Sequence, residues 1–365
     1  MPKENHRRVS RMNRKGIAGV LFSIIVALFA TFYPIPVTYG CTRAVYLGPD
    51  GTIITGRSMD WEESTGTDLW AFPAGMKRDG ATGETAINWV SKYGSVACSF
   101  YNASTVDGMN EKGLVANVLY LAESEYGKPD GKRPTISIAA WAQYVLDSYA
   151  TVSEAVDALR GDPFVVIAPV LPNGRPATGH LAISDPTGDS AIFEYIGGKL
   201  FIHHGKSYQV MTNSPVFDKQ LALNEYWEQI GGATFLPGTT RASDRFARAS
   251  FYINAIPKTA DVFQAVASVF GVIRGVSVPL GITTPGEPNI ASTYWRTLSD
   301  QKDKIYYFDS ATSPTVFWVP LSELDLKEGA PIKKLSLVGG QTYSGNAASR
   351  FEPAQPFGFL QGTVK

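Results

Sequence analysis

The chain has little of the chemistry on which many enzymes rely. Cysteine and histidine are scarce, with two Cys and four His among 365 residues. Two cysteines make no disulfide scaffold. His203 and His204 are adjacent on a strand-like segment, so they point to opposite faces and cannot share one ion. Only His6 and His180 remain, and no catalytic metal is expected. Charge of one sign is also missing. Basic and acidic residues balance at 33 each, without a run or a basic patch, which argues against a nucleic-acid partner. There is no G-x-G-x-x-G, no P-loop lysine motif and no G-x-S-x-G. Ser299 to Lys302 fits S-x-x-K, but its companions are absent. Lys258-Thr259 is followed by Ala260, and no S-D-N occurs. No cofactor is called for, and no internal repeat or low-complexity stretch divides the chain.

What is present begins at the N-terminus. Lys3, Arg7, Arg8, Arg11, Arg14 and Lys15 precede an apolar run from Ile17 to Tyr33. Pro34 and Pro36 break that run, and the segment ends in the small residue Gly40. This order predicts a secretory signal peptide over residues 1–40, removed by signal peptidase, with Met12 as an alternative start. A retained anchor is the competing reading, but 17 apolar residues are short for a span. The expected product is a single domain, 41–365, exported to the periplasm or secreted. Those 325 residues carry 27 basic and 32 acidic side chains, a net charge of −5.

Cleavage after Gly40 would make Cys41 the first residue. A thiol and a free α-amine on one residue form a nucleophile and its base. Two other fates for Cys41 stay open. One is a lipid anchor, although Thr38-Tyr39-Gly40 fits a lipobox poorly. The other is a bridge to Cys98, the default for an even count in an exported protein. Cys98 lies in the apolar run SVACSFY and reads as a small buried hydrophobe.

Further along, AVYLG and TIITGR flank Pro49-Asp50-Gly51, a hairpin pattern. WVSKYGSVACSFYN and LVANVLYL read as strands joined by the polar DGMNEKG. A helix is predicted from Ile136 to Tyr149, and another from Thr151, where T-V-S-E makes a capping box. HLAISD, SAIFEYI, KLFIHH and SYQVMTN read as a strand meander punctuated by turns. DRFARASFYINAI and ADVFQAVASVFGVI are helical, with Val262, Val266 and Val269 on one face of the second. STYWRTL, KIYYFD and TVFWVPL return to strands. Strands alternating with helices in blocks indicate an α+β fold with largely antiparallel sheets, two stacked sheets with helices outside being one such layering.

Arg57 and Asp60 lie on the second arm of the hairpin that Cys41 opens. On spacing alone they read first as a surface pair contributing under ~1 kcal/mol. Asn213 reads as a turn residue before Ser214-Pro215, and Arg245 as an exposed helix residue. Trp61, Tyr101 and Tyr120 read equally as core or as walls of an acyl pocket.

The motifs together change that balance. CTR at residue 41 followed by RSMDW resembles the choloylglycine hydrolase family, the N-terminal-nucleophile group that holds conjugated bile acid hydrolases and penicillin V acylases. The likeness continues at DGMNEKGL (107–114), at MTNSPVFDKQ (211–220), and at LPG followed by SDRFARASF (243–251). The resemblance implies an αββα four-layer sandwich and an amidase. Cys41 would be the nucleophile, Arg57 the cation near its thiolate, and Asp60 the holder of the amine. Asn213 would be an oxyanion donor, and Arg245 a second active-site arginine. At Tyr120 bile-acid hydrolases typically carry asparagine, whereas penicillin V acylases often carry tyrosine. The stretch between Asn213 and Arg245 lacks about twenty residues of an assembly hairpin found in some members. This shorter form is similar to exported enzymes of Gram-negative bacteria, and implies a homo-oligomer without that hairpin.

The expected function is cleavage of a linear amide carrying an aromatic or fatty acyl group, such as penicillin V or an acyl homoserine lactone. A conjugated bile salt is the alternative substrate. A lipidated envelope protein that binds acyl ligands without hydrolysing them is the non-enzymatic alternative.

Overall fold

Asp50 and Gly51 adopt φ of 54° and 72°, turning the chain tightly after Pro49. Gly48 N–H donates to the Thr52 carbonyl at 2.8 Å and closes the loop. The expected hairpin results, pairing strands Thr42–Leu47 and Ile53–Trp61 with Thr42 opposite Ser58 and Arg43 opposite Arg57. This computed structural model describes residues 40–282 and 291–363. The predicted signal peptide lies outside the described residues except for Gly40.

The hairpin forms the heart of a seven-stranded sheet. In spatial order its strands are Val210–Met211, Thr42–Leu47, Ile53–Trp61, Ser292–Asp300, Ile305–Ser310, Val316–Pro320 and Gly345–Asn346. A nine-stranded sheet faces it. Lys199–His204, Ser190–Ile196, His180–Ser184, Val115–Leu119, Ser104–Asn110, Ser95–Phe100 and Leu69–Phe72 make most of it, closed by the short Lys333–Leu335 and Glu352–Pro353.

Five α-helices lie among the described residues: α1 (Ile138–Ser148), α2 (Val152–Leu159), α3 (Phe217–Ile230), α4 (Ala242–Ala255) and α5 (Val262–Gly275). Helices α1 and α2 pack on the nine-stranded sheet, and α4 and α5 on the seven-stranded one. The layers run helix, sheet, sheet, helix, as expected. The capping residue of α2 is the predicted one, with Thr151 Oγ1 accepting the Glu154 N–H at 3.2 Å. On α5, Val266 and Val269 are buried and Val262 packs against the same core.

Four readings change. The DGMN of the polar linker belongs to strand Ser104–Asn110, and only Glu111-Lys112-Gly113 turns, with Gly113 at φ 84°. Burial of Asp107 and Asn110 is tolerated because both are satisfied. Asn110 Nδ2 donates to the carbonyls of Leu146 and Tyr149 at 2.9 and 2.8 Å. SYQVMTN contributes only Val210–Met211, and to the other sheet, where Met211 faces Arg43. Helix α1 starts at Ile138, after a short strand Thr135–Ser137. Helix α3 has no counterpart in the sequence pattern; it buries only Phe217 and Gln220 and so carries almost no apolar stripe.

Strand Ile53–Trp61 is buried along its whole length because α5 covers one face and the second sheet the other. Gly56 makes the close approach of α5 feasible. A Cβ there would stand 2.7 Å from both Ile273 Cγ1 and Leu298 Cδ2. Gly56→Val is therefore expected to destabilise the protein by ~1–3 kcal/mol through overpacking. Urea unfolding of the two proteins checks this, and equal midpoints with equal slopes would count against it.

Candidate active site

Cys41 precedes the first strand and is enclosed, with 2% exposure. Its Sγ lies 3.8 Å from Arg57 Nη2, 3.7 Å from the Asp60 carbonyl oxygen and 4.0 Å from Met59 Sδ. The Cys41 N–H donates to Asn213 Oδ1 at 2.6 Å. Arg245 Nη2 donates to the same oxygen at 2.9 Å. Arg245 Nη1 donates to the Cys41 carbonyl at 2.7 Å and to Thr42 Oγ1 at 2.6 Å. Asn213 Nδ2 donates to the Tyr120 carbonyl at 2.7 Å, which fixes the orientation of its amide.

Asp60 reaches this cluster because the hairpin register carries the long strand back past the chain's first turn. Its Oδ1 accepts from Thr293 Oγ1 at 2.5 Å. Its Oδ2 lies 3.8 Å from Arg245 Nη1 and accepts no hydrogen bond among the described residues. Gly40 is packed against both groups. A side chain there would start 3.0 Å from Arg245 Nη2 and 3.2 Å from Asp60 Oδ2.

Burial dominates the electrostatics. It pushes the Cys41 thiol up against the pull of Arg57. It raises Asp60 to about 6, opposed by the charge of Arg245 and by hydrogen bonds from Thr293 and Ser58. Burial also lowers Arg245, with Asp60 opposing. Arg57 is desolvated too, yet the charges of Cys41 and Asp107 hold it up.

Asp107 is the site residue that the sequence did not single out, although it opens DGMNEKGL. It lies 3.4 Å from Arg57 Nη1 and accepts from Asn117 Nδ2 at 2.7 Å and Thr297 Oγ1 at 3.2 Å. The Tyr306 hydroxyl donates to its other oxygen. Cys98 is free, buried, and 3.2 Å from that same hydroxyl, so no bridge to Cys41 exists.

A cavity of about 70 Å³ opens beside the thiol. Trp61, Phe100, Tyr101 and Tyr120 form its aromatic wall. Trp61 meets Phe100 and Tyr120 edge-on at 5.3 and 5.9 Å. Trp61 Nε1 donates to the Tyr101 hydroxyl at 3.0 Å. Tyr101 itself is held at φ 55°, an uncommon conformation for a bulky residue, by its N–H to the Thr65 carbonyl at 2.8 Å. Thus Cys41, Arg57, Asp60, Asn213 and Arg245 converge, and Trp61 and Tyr120 line the adjoining pocket. His203 and His204 lie elsewhere, His204 paired with Asp189 at 2.7 Å.

Residues 41–334 match the linear amide C–N hydrolases, choloylglycine hydrolase family. A penicillin V acylase of Pectobacterium atrosepticum is 52% identical, over 88% of this chain and 93% of that one. The structure of a penicillin V acylase from Agrobacterium tumefaciens superposes with a TM-score of 0.83 at 57% identity, covering 88% of this chain and all of that one. A conjugated bile acid hydrolase of Lactobacillus acidophilus is 25% identical over 73% of this chain and 91% of its own.

Asp60 yields a pH prediction for the uncleaved chain. A carboxyl raised from 3.8 to about 6 binds its proton more tightly when folded. Its contribution to stability is therefore largest in acid and falls as pH rises through about 4 to 6, by roughly 3 kcal/mol. Asp60→Asn should remove that fall. Denaturant unfolding of both uncleaved proteins at pH 4, 5, 6 and 7 checks it; parallel curves would refute it.

Proposed function

Because the chain belongs to the choloylglycine hydrolase family of linear amide C–N hydrolases, we propose that it is a penicillin V acylase-like amidase using Cys41 as its N-terminal nucleophile. The observation that carries this is the convergence of Arg57, Asp60, Asn213 and Arg245 on one cysteine. In the uncleaved chain the Cys41 nitrogen is a peptide amide and cannot serve as a base. Cutting the Gly40–Cys41 bond turns it into an α-amine, a group that ordinarily titrates near pH ~7.7–8. The ammonium form would then find the Asp60 carboxylate beside it. On this reading residues 1–40 are an export segment, and the mature enzyme works in the periplasm.

Sulfur then attacks the substrate carbonyl, and the α-amine takes the thiol proton. The developing oxyanion is met by the second Asn213 Nδ2 proton and by the backbone around Tyr120. The amine returns its proton to the leaving nitrogen as the C–N bond breaks. Water attacks the thioester, releasing the acid and restoring the thiol. Arg57 stabilises the thiolate at each stage where it forms.

The cavity supports an aromatic acyl group. Its walls beside the thiol are largely apolar and aromatic, with Trp61 and Tyr120 meeting edge-on where a ring could pack. Phenoxyacetyl amides are thus preferred over bile amides, with medium-chain acyl homoserine lactones as further candidates.

N-terminal sequencing of the exported protein should find Cys41 first, and Cys41→Ser should lower penicillin V hydrolysis by ~10³-fold or more. A blocked N-terminus, or activity surviving the substitution, would end this reading. The kcat/KM for penicillin V should exceed that for a glycine-conjugated bile acid by ~10-fold or more. The reverse order would move the substrate to bile salts and leave the mechanism standing.

A further inference from the structure

His180 and Glu194 form a buried hydrogen-bonded pair that takes no part in the steps above. Both are sealed from solvent, at 0% and 2% exposure. They stand on neighbouring antiparallel strands of the nine-stranded sheet. His180 Nε2 lies 2.7 Å from the Thr212 carbonyl oxygen. A carbonyl only accepts, so Nε2 carries a proton and donates. Nδ1 lies 2.9 Å from Glu194 Oε1. Both Glu194 oxygens also accept the Phe217 N–H, at 3.2 and 3.0 Å, at the first residue of α3.

Burial by itself would favour a neutral Glu194. Hydrogen bonding and charge from His180, the Phe217 amide and the charge of His203 overcome it and hold this carboxyl below its usual range. The ring thus reaches both ends of one short segment, Nε2 donating to Thr212 and Nδ1 meeting the Glu194 that holds Phe217.

That segment is 212–217, and Asn213 lies inside it. Thr212 is gripped through its carbonyl by His180, and Phe217 through its amide by Glu194. Between them, Gln220 Nε2 donates to the carbonyls of Asn213 and Pro215, the latter at 2.7 Å. His180 sits on the nine-stranded sheet, whereas Thr212 follows a strand of the seven-stranded one. The pair thus ties the two sheets together at the residue that faces Cys41. Burying two ionisable side chains is a poor way to gain stability, since apolar residues of similar volume often do as well or better. The pair's placement has a better account as orientation of a catalytic amide by an outer layer of hydrogen bonds.

We infer that His180, held by Glu194, is a positioning residue that fixes the Thr212 carbonyl and thereby the direction in which Asn213 presents its amide to the oxyanion. The inference rests on Asn213 being the oxyanion donor.

Two substitutions divide the ring's duties. His180→Asn keeps a donor near Glu194 and loses the one to Thr212. His180→Gln extends its amide nitrogen to the Nε2 position and keeps the donor to Thr212. On the mature enzyme with penicillin V, His180→Asn should lower kcat at least ~10-fold with KM within ~2-fold, a fraction of the ~10²–10³ that loss of an oxyanion donor costs. His180→Gln should recover most of it. Alkylation of Cys41 by iodoacetamide needs no oxyanion donor and should keep its rate in both. Asn213→Ala is the control. If it keeps its kcat, Asn213 is not the donor and the inference falls with that reading. If it loses kcat while the two His180 variants match each other, high or low, the inference alone is overturned. Should His180→Asn fail to fold, His180→Gln decides: kcat near native supports the role, and lost kcat with unchanged alkylation overturns it.

Discussion

Three arginines are withdrawn from water around Cys41, and each must be compensated where it lies. Arg57 has Asp107, the carbonyls of Val106 and Val118, and the face of Trp295 at 4.7 Å. Arg245 has Asn213, Thr42, the Cys41 carbonyl and, at longer range, Asp60. Arg43 meets the carbonyls of Ile183 and Tyr208 and the hydroxyl of Ser190, and burial lowers its pKa to about 9. Arg57 and Arg43 start from the seven-stranded sheet and find partners on the nine-stranded one. The cost of desolvating them is offset only when the two sheets sit in one relative position. That same position brings the thiol, Asp60 and Asn213 together.

The parts of the fold that were legible are those whose determinants are local. Pro49-Asp50-Gly51 specifies its turn, Thr151 its cap, and the valines of α5 their face. Asp107 and Asn110 misled because their partners are remote in the chain: Arg57 is 50 residues away from Asp107, Tyr306 199. A polar residue with unseen partners reads as a loop. Helix α3 was hidden for the opposite reason, having too little apolar periodicity to stand out. Of the site, Cys41, Arg57, Asp60, Asn213 and Arg245 were found through ordered motifs, since spacing alone favoured surface and turn readings for four of them. Trp61 and Tyr120 were ambiguous between core and pocket, and the structure makes them both: Trp61 is 3% exposed and still lines the cavity.

On the proposed cleavage after Gly40, the uncleaved chain already holds the geometry of the site. Its nitrogen already donates to Asn213, its carbonyl already accepts from Arg245, and its thiol already faces Arg57. Burial raises both Asp60 and the thiol here, and a freed terminus would add a further cation beside them. If that bond is cut as proposed, little rearrangement is needed, because the scaffold of the site is in place before the base exists.

Gly56 extends this economy to the outside of the molecule. The missing side chain lets Ile273 of α5 press directly on the backbone one residue before Arg57. The position of the guanidinium thus depends on a helix face that no substrate touches. Variation at Ile273, two layers away from the pocket, is a route by which thiolate stabilisation can drift between related enzymes while every residue in the cavity stays the same.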